Sequence, residues 1–481
     1  MRKPAALALL ALGGCNLAPD FERPPPPVAA EYPSAATPAD ASAPLATELA
    51  WQSLFRDPKL QALVQTALER NRDLAQSYAR IEQARAQYRV QAADRLPTIQ
   101  ASGSGTRARQ PLSALGANSA ALPEGAPDGV TFNQFSANAG VSAFELDLWG
   151  RVRNLSEAQR QRWLASIEGA RAFRLSLIAQ VAAAYFDIRA GEERIRLAER
   201  SLNGRREGVR IANLRLDAGV TSTIDYDQSV LLLTQAETEL AQIQLQTEQS
   251  QNLLDVLTGG PVATPLPEGA PLAAQLTPIA AGLPSDLLTR RPDVLQAEYN
   301  LRAANADIGA ARAAFFPQIS LTGLFGFASN ALDGLFSGAN RSWSFGGSGN
   351  LPIFDWGRRK GQVDLNRARA DELAAAYQRT VQGAFREVAD ALAGRRRLAE
   401  QIEAQTRSLE AQQRLARTAR LRYDNGIAIY LEVLDAERNL FAAEQALLQL
   451  RATELQNAVS LYTALGGGTE QEDARRRAPT E

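Results

Sequence analysis

The reactive side chains available to this chain are few. It has 481 residues, with no His, one Cys (Cys15), one Met (Met1) and three Lys (Lys3, Lys59 and Lys360). Without His, no Ser-His-Asp triad, Cys-His pair or H-E-x-x-H zinc site can form. A single Cys excludes an intramolecular disulfide, a C-x-x-C redox pair and a thiolate metal cluster. No G-x-x-x-x-G-K-S/T phosphate loop occurs. Carboxylates remain: 53 Asp and Glu against 52 Lys and Arg, a formal charge of −1. That balance lacks the basic excess of a nucleic-acid binder. A carboxylate-only enzyme such as a glycosidase needs an acid pair in a cleft. The internal organisation leaves no separate domain for one, so no catalytic residue, metal ligand or enzymatic activity is expected.

Cys15 stands in a distinctive setting. Arg2 and Lys3 precede an apolar stretch, Ala5 to Leu12, that is too short to span a bilayer. Leu12-Gly13-Gly14-Cys15 resembles a bacterial lipobox. The resemblance implies a signal peptide over 1–14 and acylation of Cys15, a palmitate-type covalent lipid being the only attached group expected. One acyl chain anchors marginally, at about 0.8 kcal/mol per buried CH₂, whereas several hold firmly. An ordinary secretory signal with an incidental Cys is the other reading. By analogy with lipoproteins, Asn rather than Asp at residue 16 permits sorting to the outer membrane. No other segment has 18 uninterrupted apolar residues, so a membrane-integral role needs β-strands.

The elements that would position any site come from a duplication. Residues 15–50 form a Pro/Ala-rich extended arm, with Pro24 to Pro27 consecutive, and 466–481 form a disordered tail. Between them, R-L-D-A-G-V-T-S-T-I-D-Y-D at 215–227 matches R-Y-D-N-G-I-A-I-Y-L-E-V-L at 422–434. L-D-L-W-G-R at 146–151 matches I-F-D-W-G-R at 353–358, again 207 residues apart. R-L-P-T-I at 95–99 matches F-F-P-Q-I at 315–319 with an offset of 220, so the first copy carries a longer loop near 110–130. The first repeat spans 51–257, with a β-hairpin over 97–148 and long helices over 151–257. A connector covers 258–292. The second repeat spans 293–465, with a hairpin over 317–355 and helices over 358–465.

Period-2 alternation occurs only around those loops. Phe135, Val141, Ile319, Leu321, Phe325, Phe327, Trp343 and Phe345 alternate with small polar residues. Strands of about 10 residues with this pattern suit a membrane β-barrel, but four strands cannot close one, since the smallest barrels have about eight. Either the strands span a membrane in an oligomer, or each repeat holds a soluble hairpin. The helices carry heptads: Leu434, Phe441, Leu448, Leu455 and Tyr462, and in the other repeat Tyr226, Leu233, Leu240 and Leu254, broken by Thr247. Gln228, Gln235, Gln242 and Gln249 form a polar stripe that is either a solvated face or a tunnel lining.

At this point the chain resembles the TolC-like outer-membrane factors of Gram-negative efflux pumps, and within them the OprM/NodT-type lipoprotein branch. The resemblance rests on G-L-P-S-D-L-L-T-R-R-P-D-V-L-Q-A-E-Y-N-L at 282–301 and A-A-N-A-D-I-G-A-A-R-A-A-F-F-P-Q-I-S-L at 303–321. It rests also on C-N-L-A-P-D-F-E-R-P at 15–24, the two W-G turns, and Y-D-N-G…Y-L-E-V-L-D-A-E at 423–437. It implies a mixed α/β membrane protein, mostly α, that assembles as a homotrimer. Four strands per chain would build a 12-stranded outer-membrane β-barrel, continuous with a periplasmic α-helical barrel about 100 Å long, as helices rising 1.5 Å per residue permit. A small equatorial region would surround the connector. Pro97 and Pro317 would mark the helix-to-strand transitions, and Gly150 and Gly357 the returns to helix.

The implied function is a passive gated duct carrying small organic molecules from periplasm to exterior. A periplasmic adaptor and an inner-membrane pump would open and energise it, and outer-membrane lipid would surround it. The adaptor would contact the helical tips at the Gly219 and Gly426 turns. The family's constriction residues fall on Leu431, Glu432, Asp435 and Asp225, with Ile224 where a Thr precedes that Asp in the family. A tyrosine that holds the coils falls on Tyr423, and its basic partner falls on Ala428, so that latch is expected to be missing. In three copies the carboxylates would raise some pKa values and attract cations. The mature chain lacks Met and His, which favours drugs, solvents or other organic compounds over soft metals. A structural coiled-coil lipoprotein or adaptor without a channel is the alternative; it leaves the duplicated hairpins unexplained.

Overall fold

Two Pro-terminated helices and two Trp-Gly turns divide the chain into long helices and a small sheet. The computed structural model describes residues 16–29, 32, 44–46, 48–111, 129–262, 276–280 and 290–468. The signal segment, Cys15, much of the arm, the loop 112–128, most of the 258–292 connector and the tail from 469 lie outside the described residues. The first repeat runs α1 (Trp51–Leu54), α2 (Pro58–Arg70), α3 (Arg72–Ala93), β1 (Ile99–Pro111), β2 (Gly129–Leu146), α4 (Arg151–Asp217) and α5 (Thr223–Thr258). The second runs α6 (Pro292–Ala313), β3 (Gln318–Ser329), β4 (Arg341–Asn350), α7 (Arg358–Asp424) and α8 (Tyr430–Ala464). Helices α4 and α7 are each 67 residues long.

One compact unit contains residues up to 23, 82–164 and 299–375. Its sheet has the order β1-β2-β3-β4, antiparallel throughout. Ile99 pairs with Val141, Phe135 with Ser329 and Phe325 with Trp343. The β2–β3 ladder joins the hairpin of each repeat into one four-stranded sheet. A bulge between Ser142 and Phe144 puts Ala143 at φ 100°, locally re-aiming β2. The strands stop at Leu146 and Asn350, short of 148 and 355. Pro352, which lacks a ladder donor, lies two residues beyond the end of β4. Trp149 Nε1 donates to the Pro317 carbonyl (2.9 Å) and the Trp149 ring stacks on Phe316 at 4.7 Å. Thus the return turn of one repeat fixes the helix-to-strand transition of the other. Gly150 and Gly357 have φ 75° and 85°.

The second unit contains residues 24–81, 165–298 and 376–481, and holds the large apolar core. Val181, Tyr185 and Ile188 of α4, and Tyr377, Val381 and Val388 of α7, recur at helical spacing and are fully buried. Each such side chain contributes about 1.5–3 kcal/mol relative to exposure. Asp57 caps α2 through Lys59 N (2.9 Å) and also accepts from the buried Tyr185 hydroxyl (2.5 Å). Burial, then that hydrogen bond, push the Tyr185 hydroxyl upward. Arg291, in the R-R-P-D stretch, donates to the Ala464 carbonyl (2.9 Å) and to both Asp293 and Glu387. It ties the start of α6 to the end of α8.

The heptads behave as packing stripes. Leu434, Leu455 and Tyr462 are buried on α8, whereas Gln228, Gln235, Gln242 and Gln249 are exposed on α5. Thr247 interrupts the apolar series because it meets Gly191 of α4 so closely that a Cβ there would lie 2.2 Å from its hydroxyl. The Thr247 hydroxyl is satisfied internally by the Ile243 carbonyl (2.8 Å).

Candidate gate at the helical tips

Two helix-turn-helix tips lie in the second unit, and both turns need a left-handed residue. Gly219 and Gly426 adopt φ 70° and 71°, where an L side chain crowds its own backbone. Val220, Ile224, Ile427 and Ile429 around these turns are each about two-thirds exposed. The tips enclose a cavity of about 820 Å³, lined among others by Arg215, Asp225, Tyr423, Gly426 and Leu431. Glu432 and Asp435 do not line it.

Each candidate carboxylate has a partner within the chain. Asp225 sits at the third position of α5 and forms a capping box with Ser222. Its backbone N–H donates to Ser222 Oγ (3.4 Å), and its carboxylate accepts from the Ser222 backbone N–H (3.5 Å) and the Thr221 hydroxyl (2.5 Å). The Thr221 hydroxyl and the Ser222 backbone hold the Asp225 carboxyl below the usual carboxylate range. Within one chain its pKa thus moves opposite to the rise expected for clustered acids. Glu432 pairs with Arg422 (2.7 Å) and Asp435 with Arg438 (3.3 Å), all partly exposed. Leu431 is 37% exposed.

Tyr423 has a basic partner after all. Arg215 donates to its hydroxyl at 3.2 Å, and the Tyr423 ring lies 5.0 Å from Tyr430. This arginine comes from α4 rather than from position 428, which is Ala. Beneath this layer, the buried Arg205 donates to the Leu434 carbonyl (3.3 Å), and Tyr430 packs against Gly208. Desolvation lowers the Arg205 pKa against the attraction of Glu437, and burial raises that of Tyr430. Residue spacing does not mark Arg205, Arg215 or Tyr430 as members of this layer. The duplication carried a signal for one of them: Arg215 and Arg422 are 207 residues apart, as are Asp225 and Glu432. Cys15 lies outside the described residues. Among the described residues no helix is long and apolar enough to cross a membrane.

Comparison with known proteins agrees along nearly the whole chain. A family model described as outer membrane efflux protein matches residues 63–260 and 283–467. The chain is 42% identical over 466 residues to the toluene efflux pump outer membrane protein TtgC of Pseudomonas putida, covering 96% of this chain and 94% of that protein. It is 41% identical over 479 residues to outer membrane protein OprJ of Pseudomonas aeruginosa, covering 98% of each. The open state of the MtrE outer membrane channel of Neisseria gonorrhoeae matches with a TM-score of 0.84 at 37% identity, covering 95% of this chain and 99% of that one. The mostly helical fold with its small sheet and the full-length likeness together make the chain a member of the outer membrane efflux protein family.

Proposed function

We propose that three copies of this chain form the outer-membrane channel of a tripartite efflux pump. The observation that carries this reading is the sheet. Its outer strands β1 and β4 have no neighbour among the described residues, and Phe325, Trp343 and Phe345 project unburied from it. An open sheet edge is a liability that closure removes. Three such sheets give twelve strands, within the range of transmembrane barrels, with aromatic side chains suited to lipid and its interface. The helices then extend into the periplasm, and the exposed Gln stripe of α5 suits a neutral, wet tunnel lining. Acylation of Cys15 adds a lipid anchor beside the barrel.

Cargo is organic: the TtgC relative is named for toluene efflux, and the mature chain has no Met or His to ligate soft metals. The chain is a conduit rather than an enzyme, without a phosphate loop, so an inner-membrane pump supplies the energy through a periplasmic adaptor seated on the exposed Gly219 and Gly426 tips. Leu431, Glu432, Asp435 and Asp225 form the constriction and Tyr423 holds the coils. Purified full-length protein should run as a heat-modifiable trimer and give discrete conductance steps in planar bilayers. Monomers without conductance would sink the proposal. Asp435→Ala should raise leak through the closed channel and the uptake of large antibiotics; unchanged leak removes Asp435 from the constriction.

A further inference from the structure

In the sheet-bearing unit, the arm residues just after Cys15 are held on the helices. Asn16 Oδ1 accepts from Asn154 Nδ2 (2.9 Å), the Leu17 carbonyl from Arg312 (3.3 Å) and the Pro19 carbonyl from Asn305 Nδ2 (2.7 Å). The Arg302 guanidinium lies over the Phe21 ring at 4.5 Å. The seated arm closes one side of a cavity of about 400 Å³, a volume within the range of ligand pockets. Leu17, Phe315, Phe316 and Val363 give it apolar walls. Both aromatic rings are fixed: Phe316 by Trp149, and Phe315 by the Arg359 guanidinium 5.3 Å above it.

The rim is cationic. Arg312, Lys360 and Arg367 stand against one acid, Asp364, which is paired with Arg367 at 3.5 Å. The helix that supplies Lys360 begins Arg358-Arg359-Lys360, with no acid in its first turn. A helix N-terminus already carries partial positive charge, so three cations there repel it unless an anion is nearby. Asp355 answers Arg359 at 2.6 Å. Nothing described answers Lys360 in the same way. An apolar compound would have no use for this rim, and a small soluble anion none for these walls. An anionic phospholipid uses both. The location suits one: β3 begins at Gln318, two residues beyond Phe316. This last point rests on the proposed membrane-spanning role of the sheet.

We propose that this cavity binds one anionic phospholipid per chain, its phosphate against Lys360 and Arg367 and an acyl chain along Phe315 and Phe316. The test uses the full-length trimer in nanodiscs of phosphatidylethanolamine with a minor fraction of phosphatidylglycerol, with retained lipid counted by native mass spectrometry. Wild type should retain phosphatidylglycerol over phosphatidylethanolamine. Each cation near an anionic lipid surface is worth about a fivefold change in affinity, so Lys360→Gln with Arg367→Gln should weaken retention roughly twenty-five-fold while the trimer mass persists. Phe315→Ser should weaken it as well.

Equal retention of the two lipids, or unchanged retention in the double variant, overturns the proposal. Displacement by inorganic phosphate alone would mean a free-anion site and also overturns it. So does a phospholipid that appears only in Cys15→Ser, because the chain's own acyl group would then be the occupant. Conductance of the same wild-type preparation separates the two readings. A conducting trimer without selective lipid retention defeats only the lipid site, whereas a trimer that does not conduct defeats the channel reading and this inference with it.

Discussion

The tips of the two repeats share a pattern, yet they use matched residues differently. Arg215 and Asp225 in the first correspond to Arg422 and Glu432 in the second. In the second tip the arginine and the acid bind each other at 2.7 Å. In the first, Asp225 turns back onto Ser222 and Thr221, and Arg215 reaches Tyr423 of the other repeat. The N-cap accounts for the difference. Ser222 offers a side-chain oxygen and completes a capping box, whereas Ile429 offers none and makes no side-chain cap. An acid recruited by its own helix terminus leaves its arginine available for a distant partner. One small polar residue therefore decides whether a tip closes on itself or reaches across.

The deeper contact between the repeats is also asymmetric. Arg205 is buried against the Leu434 carbonyl, and its counterpart 207 residues on is Gln412. Arg205→Ala removes a buried charged hydrogen bond and should cost about 1.5–3 kcal/mol, seen as earlier thermal loss of the helical circular dichroism signal. Gln412→Ala should cost far less; equal losses would remove the asymmetry. Ser222→Ala should cost about 1 kcal/mol and release Asp225 to compete for Arg215. A double-mutant cycle between positions 215 and 423 should then report weaker coupling than in the wild-type background, and unaltered coupling would break the N-cap explanation.

The acid side of the comparison is testable by pH. Asp225 ionises below its ordinary range in the folded chain, so the stability it adds is present above that range. That stability is lost as pH falls through the lower folded value. Acid titration should therefore loosen the first tip in wild type, and Ser222→Ala should blunt the effect. The smallest change belongs to the second tip. Arg422→Gln removes a partly exposed pair worth about 0.2–1 kcal/mol, and added salt should erase the difference from wild type.

Residue patterns reached far into the local structure. The Pro before each strand, the Trp-Gly returns and the Gly turns are short-range signals, because each needs a backbone geometry that few residues tolerate. The heptads pointed to buried stripes, and Leu434, Leu455 and Tyr462 lie in them. Side-chain partners were less legible. Thr247 looked like a break in a heptad, although its position follows from the closeness of Gly191. The family pattern places a cation for Tyr423 at position 428, five residues away, where this chain has Ala, while Arg215 reaches its hydroxyl from 208 residues away.

The sequence by itself determined the duplication, the element types, the family and the chemistry that is missing. These follow from residue identity and local periodicity, and two copies of one pattern reinforce each other. Only the tertiary structure decided which strand of one repeat pairs with which strand of the other, which arginine meets which oxygen, and that the residues after Cys15 wall a cationic apolar cavity. Those contacts join segments far apart in the chain. Spacing carries no information about them, because packing chooses among several partners of equal charge and similar reach.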